Sequence, residues 1–68
     1  MTVDTPSRPH PIAYTVKDAA VAVGLSVRYL RTQIQLGYLI ARYAGSKPLI
    51  THAELVHWLS RLPTEPPQ

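Results

Sequence analysis

The stretch VKDAAVAVGLSVRYLRTQIQLGYL, from Val16 to Leu39, contains two apolar patterns at helical spacing with only three residues between them. Gly24 suits the left-handed conformation that commonly ends a helix, and Ser26 is a favourable N-cap for a second helix. The pattern predicts two short helices joined by a tight turn, with Leu25 as a buried residue of that turn. The apolar positions are Ala19, Ala20 and Val23 in the first helix and Val27, Leu30 and Ile34 in the second.

Capping signals indicate where the helices begin and end. Thr15 is placed to cap the first helix, with Asp18 near the positive end of its dipole. Gly37 is expected to end the second helix. A third helix is predicted to begin at Thr51, which forms a capping box with Glu54. The apolar face of this third helix comprises Leu55, Trp58, Leu59 and Leu62.

Between the second and third helices the sequence favours β-structure. Residues 39–43 are rich in β-forming side chains, residues 49–50 are a short apolar pair, and residues 44–47 are typical of a turn. The fold is therefore predicted to be mainly α with a small β-hairpin: three helices plus a hairpin with a basic tip.

The tight turn between the first two helices has a functional implication. Two helices joined by three residues are expected to cross at a large angle, which is the helix-turn-helix arrangement. The N-terminus of the second helix then carries both the positive end of the helix dipole and Arg28, and both attract phosphate. This arrangement can present the second helix to the major groove of DNA.

The order and spacing of these segments resemble the winged helix-turn-helix domains of phage excisionases and of the MerR-like superfamily. The resemblance covers about residues 12–62 and rests on the segments YTVKDAAVAVGLSVRYLRTQIQLGYL and PLITHAELVHWLSRL. It implies a recognition helix in the major groove and a hairpin wing on the DNA backbone or in the minor groove. The chain departs from the family pattern at Gln33, where an apolar residue is common, and at Val27, where a basic residue is common.

The resemblance, together with the polar face of the second helix, identifies candidate DNA contacts. Arg31 lies near the apolar stripe, which favours a phosphate contact over base reading. The sequence favours a core position for Tyr43 and leaves a DNA contact open. Arg28 and Arg31 could instead be solvated helix residues, Gln35 could be an ordinary surface residue, and Lys47 could simply keep the hairpin soluble. The candidates are Ser26, Arg28, Tyr29, Arg31, Thr32 and Gln35 on the recognition helix and Arg42, Tyr43, Ser46 and Lys47 on the wing.

The resemblance also implies a biological role. Excisionases are architectural: neighbouring copies bind side by side, bend attachment-site DNA and direct an integrase toward excision. MerR-type regulators continue into a dimerisation helix and an effector domain, whereas this sequence ends soon after Leu62, so no small-molecule ligand is expected. The expected partners are double-stranded DNA, an integrase and neighbouring copies of the chain. Candidate protein contacts are Tyr38, Val56 and His57, and Trp58 is expected in the core.

Two other functions remain open at this point. A small transcriptional regulator could use the same domain; it would bind an inverted repeat at a promoter, whereas an excisionase would bind tandem sites and bend them. A protein-interaction module could instead present its basic face to an acidic partner, and it would have no appreciable affinity for duplex DNA.

Charge and length agree with one small domain that binds an anion. The 68 residues carry a formal net charge of +3. Residues 12–62 contain six Lys or Arg residues and two acids, and this basic excess favours a nucleic-acid partner. The clustered prolines predict flexible tails at residues 1–11 and 63–68 around a DNA-binding domain at residues 12–62.

Enzymatic and membrane functions are not expected. His52 and His57 would lie about 140° apart on a helix, whereas zinc motifs on one helical face use a spacing of four. The sequence has no Cys, no serine–histidine–aspartate pattern and no glycine-rich phosphate loop, so no enzyme activity, cofactor or metal is expected. No apolar run approaches the roughly 20 residues of a membrane span, and the N-terminus lacks a signal-peptide pattern. A cytoplasmic protein, acting on DNA in a bacterial host cell, is expected.

Overall fold

A computed structural model describes residues 10–67, which form three helices and a three-stranded antiparallel sheet. The predicted three helices and hairpin are confirmed, and the structure adds a first strand that was not predicted. The strand order in the sheet is β1-β3-β2. In chain order the elements are β1 (Ala13–Thr15), α1 (Val16–Val23), α2 (Val27–Gln35), β2 (Arg42–Ala44), β3 (Lys47–Thr51) and α3 (His52–Ser60).

Hydroxyl side chains cap all three helices, as the sequence predicts. Each cap satisfies a backbone amide that the first turn of a helix otherwise leaves without an acceptor. The Oγ atoms of Thr15, Ser26 and Thr51 accept hydrogen bonds from the amides of Asp18, Tyr29 and Glu54 at 3.1, 3.0 and 3.1 Å, respectively.

The turn between α1 and α2 depends on Gly24, whose φ is 76°. Its amide donates to the carbonyl of Val21 at 3.2 Å, and the amide of Leu25 donates to the carbonyl of Ala20 at 3.0 Å. These two bonds form a Schellman motif, which requires a left-handed residue. The prediction that Leu25 is buried is wrong: its exposed fraction is 40%, because the reversal carries it past the end of α1 to the rim of the core.

Strand β3 is the centre of the sheet, with β1 on one side and β2 on the other. Tyr14 pairs with Ile50, and Tyr43 pairs with Pro48. Strand β2 begins at Arg42, later than the predicted start of the β-rich segment. Leu39 lies in the preceding loop and is buried in the core.

The core is small and fixes the orientation of α2. Leu30 is fully buried, so the opposite side of α2 faces outward. Trp58 is buried as predicted, but Leu59 is 41% exposed, because α3 packs a narrower stripe against the core than its apolar pattern indicates. Eight side chains are buried among residues 10–67: Val16, Ala19, Ala20, Leu30, Leu39, Ile50, Leu55 and Trp58.

The structure describes the predicted C-terminal tail almost completely but little of the predicted N-terminal tail. Residues 63–67 contain no helix or strand. Most of the predicted N-terminal tail, residues 1–9, lies outside the described residues. Among the helices of residues 10–67, none is both long enough and apolar enough to cross a membrane.

Candidate nucleic-acid interface

A groove of about 470 Å³ separates the outward face of α2 from the β2–β3 hairpin. Val16 and Pro48 form part of its wall. The polar residues that α2 contributes recur at i, i+3, i+4 and i+7, which places them on one helical face, and the apolar Ile34 lines the groove beside them. The groove therefore brings together five of the ten predicted contacts: Arg28, Arg31, Thr32, Gln35 and Tyr43.

A second groove of about 190 Å³ lies beside the first, toward the start of α1. Val16, Arg31 and Pro48 line both grooves, so the two are adjacent, and together they are called the channel. The smaller groove adds Lys47, a predicted wing contact, and Lys17, which is not among the predicted contacts. Arg31 thus lies between the larger groove and the two lysines of the smaller groove.

Lys17 left a signal in the sequence that could have identified it. It lies in the first turn of α1, immediately before Asp18. A cation in the first turn opposes the helix dipole and is electrostatically unfavourable for the helix. A basic residue at this position, two residues after a good N-cap, therefore does not stabilise its own helix through the dipole.

The hydroxyl of Thr32 is oriented by its own helix. Its Oγ1 donates to the carbonyl of Arg28 at 3.0 Å, a bond that holds the side chain in one rotamer. With the hydroxyl proton engaged, the groove side of Thr32 offers oxygen lone pairs and a methyl group. These groups can accept a bond from a base amino group or contact a thymine methyl.

Ser26 has a similar division of roles at the N-terminus of α2. Its Oγ accepts from the Tyr29 amide at 3.0 Å, which leaves the hydroxyl proton free to be donated. The first two amides of α2 lie beyond this cap and have no acceptor within the helix. This end of α2 is therefore a donor-rich position suited to phosphate.

The cations of the channel have no carboxylate partner among residues 10–67. The one ion pair in this part of the chain joins Arg61 Nη2 to Glu54 Oε2, at 3.9 Å. No carboxylate oxygen of these residues lies within 4.0 Å of the charged groups of Lys17, Arg31 or Lys47. Within residues 10–67, therefore, no ion pair neutralises the positive charge of the channel.

Arg61 and Glu54 act instead on the segment that leads from α2 to the hairpin. Glu54 Oε2 accepts from the Ile40 amide at 3.2 Å, and Arg61 Nη2 donates to the Tyr38 carbonyl at 2.9 Å. These contacts fix the exit from α2, and so they help to set the position of the hairpin relative to the helix.

Tyr29 lies on a different side of α2 from Arg28. It lines a third groove, of about 320 Å³, together with Tyr38 and Trp58. The Tyr29 and Trp58 ring centroids are 6.5 Å apart and the rings are tilted by 55°. The structure thus does not bring Tyr29 into the channel with the other candidates.

Gln33, the departure from the family pattern, has a structural use on this same side. The indole Nε1 of the buried Trp58 donates to Gln33 Oε1 at 3.4 Å. A buried indole N–H usually requires a partner. An amide at position 33 supplies one, which an apolar side chain could not.

The wing residues are only partly drawn into the channel. The preference for a core position of Tyr43 is wrong, because its side chain is 62% exposed and lines the groove. The reason is that β2 is a three-residue edge strand whose side chains are all exposed. Arg42 and Ser46 are exposed and line neither groove of the channel.

The histidines form a separate cluster at the β1 edge. Tyr14 Oη and His52 Nδ1 are 2.9 Å apart, and the rings of His10 and His52 stack with centroids 3.5 Å apart. Within residues 10–67 there is no group of three or more His, Cys, Asp or Glu side chains that could hold a metal ion.

Comparison of the chain with protein-family models, with curated proteins and with solved structures gives no match.

Proposed function

We propose that this chain is a sequence-specific duplex-DNA-binding protein with a winged helix-turn-helix fold. In this proposal α2 is the recognition helix and the β2–β3 hairpin is the wing. The observation that carries it is the channel between them, in which predicted contacts from both elements converge around arginines that have no carboxylate partner among the described residues.

The side chains of the channel have the chemistry that base reading requires. An arginine can donate two hydrogen bonds to guanine, and a glutamine can pair with adenine through its amide. Arg28 and Gln35 supply these groups at the two ends of one helical face, and Thr32 lies between them. Three successive side chains on one helix face suit the reading of a major groove.

We further propose, on the sequence resemblance, that the biological role is that of an excisionase. A module this small buries only about 600–1,000 Å² on DNA, and bending a site of 20–30 base pairs costs about 1–6 kcal/mol. Neighbouring copies bound side by side would supply that free energy jointly. The integrase is then the protein partner, and the cytoplasm of a bacterial host is the compartment.

Selection from random duplexes, followed by gel shift and circular-permutation bending, tests this proposal. Tandem sites, a stepwise ladder of shifted bands and a bend are expected for an excisionase. A single inverted repeat with one shifted band would replace that role with a dimeric regulator. No enrichment of any duplex would contradict DNA binding itself and would favour an acidic protein partner.

A conservative variant separates base reading from charge. Arg28→Lys keeps the positive charge but loses the planar fork that grips guanine. We expect it to lose about 1–3 kcal/mol of discrimination at one base pair while its salt dependence stays that of the wild type. Competition gel shifts with single-base variants of the selected site measure this. Unchanged discrimination at every position would show that Arg28 does not read a base.

A further inference from the structure

We propose that the smaller groove of the channel seats the phosphate backbone of one DNA strand, and that Lys17 of α1 is one of its ligands. This inference rests on the proposed function and adds to it a third DNA-contacting element, helix α1. The ligand chemistry is the phosphodiester anion, and the three cations are Lys17, Arg31 and Lys47.

These three cations converge from distant parts of the chain. They come from three different elements, α1, α2 and β3, and they line one groove. No Asp or Glu of residues 10–67 lines that groove. Like charges that line one groove repel one another, and a bound anion would relieve this repulsion.

Lys17 also has an electrostatic cost for its own helix. A cation in the first turn of α1 faces the positive end of the helix dipole. The acidic neighbour in that turn, Asp18, forms no ion pair with it. Lys17 thus gains nothing within the described residues that would explain its position, whereas a bound anion would explain it.

The position of the smaller groove favours an anion that is part of a polymer. This groove shares Arg31 with the larger groove, which Arg28 and Gln35 line. A strand whose phosphates pass Lys17 and Lys47 would have its bases beside the recognition face. Lysines act as point charges for phosphate, and the arginine between them can bridge two phosphate oxygens.

The experiment measures fluorescence anisotropy of a labelled duplex of the selected sequence as salt is raised from about 50 to 200 mM. Removal of one phosphate ligand lowers the slope of log K against log salt by about 0.9. If the intercept at 1 M salt is unchanged, this corresponds to about eightfold weaker binding at about 0.1 M salt. We expect this effect for Lys17→Gln.

Thr64→Glu is the matched control, because it lowers the net charge by one, as Lys17→Gln does, at an exposed residue that lines neither groove. Its slope is expected to change by much less than that of Lys17→Gln. Equal effects of the two variants would overturn the inference and reduce the role of Lys17 to net charge. Thermal melts followed by circular dichroism check that both variants are folded. Lys17→Gln is expected to melt at or above the wild-type temperature, because it removes a cation from the first turn of α1.

Two further measurements distinguish DNA phosphate from free phosphate as the ligand, and failure of this inference from failure of the proposed function. Inorganic phosphate is expected to displace the duplex no better than chloride at the same ionic strength. Stronger, Lys17-dependent displacement by phosphate would make the groove a free-phosphate site and overturn the assignment to DNA. Failure of the wild type to bind any duplex would overturn both the proposed function and this inference, whereas failure of the Lys17 effect alone would overturn only the inference.

Discussion

Replacing Glu54 with alanine should destabilise the fold by loosening the segment between α2 and the hairpin. The change removes the carboxylate that accepts from the Ile40 amide at 3.2 Å and pairs with Arg61 at 3.9 Å. A hydrogen bond to a charged group contributes about 1.5–3 kcal/mol when buried, and this one is at the surface, so about 1 kcal/mol is a better figure. The ion pair adds about 0.5 kcal/mol at most, because the Arg61 side chain is 49% exposed.

The expected total of about 1.5 kcal/mol lowers the melting temperature of a domain this size by about 6–12 °C. Thermal unfolding followed by circular dichroism measures this. Glu54→Gln keeps an acceptor for the Ile40 amide and should lose less than half as much. Glu65→Ala makes the same charge change at an exposed residue and should be within about 0.5 kcal/mol of the wild type.

The same variants connect stability to function. If the contacts of Glu54 position the hairpin, Glu54→Ala should bind duplex DNA more weakly than Glu65→Ala, although the two proteins have the same net charge. If Glu54→Ala and Glu65→Ala have the same melting temperature, the Glu54 carboxylate does not hold the segment between α2 and the hairpin.

Two further predictions concern the packing behind the recognition face. Leu30→Ala should lower the free energy of unfolding by about 3–5 kcal/mol, because Leu30 is fully buried. In a domain of this size that loss leaves little or no folded protein at about 37 °C, which circular dichroism measures. A cooperative thermal transition within about 5 °C of the wild type would contradict the role of Leu30 in the core. Gln33→Leu should cost about 1 kcal/mol by orphaning the Trp58 indole N–H, and this cost should vanish in a Trp58→Phe background, where no donor remains. Chemical denaturation of the four proteins of this cycle measures the coupling, and equal costs in both backgrounds would exclude the hydrogen bond.

Local chemistry made much of this fold predictable. The caps at Thr15, Ser26 and Thr51 and the left-handed Gly24 depend on neighbours within a few residues, so a single sequence is enough to identify them. Strand β1 was missed because three residues cannot display an alternating pattern. Its pairing partner is also distant in the chain, as the register of Tyr14 with Ile50 shows.

The errors at single residues have a common physical cause. Leu25, Leu59 and Tyr43 are large apolar residues that the sequence favoured as buried, yet all three are exposed. A core of eight buried side chains cannot cover every apolar residue of a small domain, and those at its rim remain in solvent. Sequence pattern gives the direction of a face, but it does not give the width of the core that covers it.

The sequence predicts which residues share the outward face of α2, but it does not predict which residues of other elements lie beside that face. The outward face of α2 follows from helical spacing, so Arg28, Thr32 and Gln35 could be grouped from the sequence. The meeting of Lys17 with Lys47 depends on how α1 packs beside β3, which is a tertiary relation. Periodicity along one element contains no information about it.

Duplex binding through the channel is tested most directly by following the backbone amide resonances of the isotope-labelled protein while the selected duplex is added. We expect the resonances that shift most to belong to the channel: the first turn of α1, residues 43–47 of the hairpin, and Arg28, Arg31, Thr32 and Gln35 of α2. The opposite side, around Tyr38 and Leu59, should change little. Shifts concentrated around Tyr38 and Leu59, or no shifts at all, would contradict DNA binding through the channel.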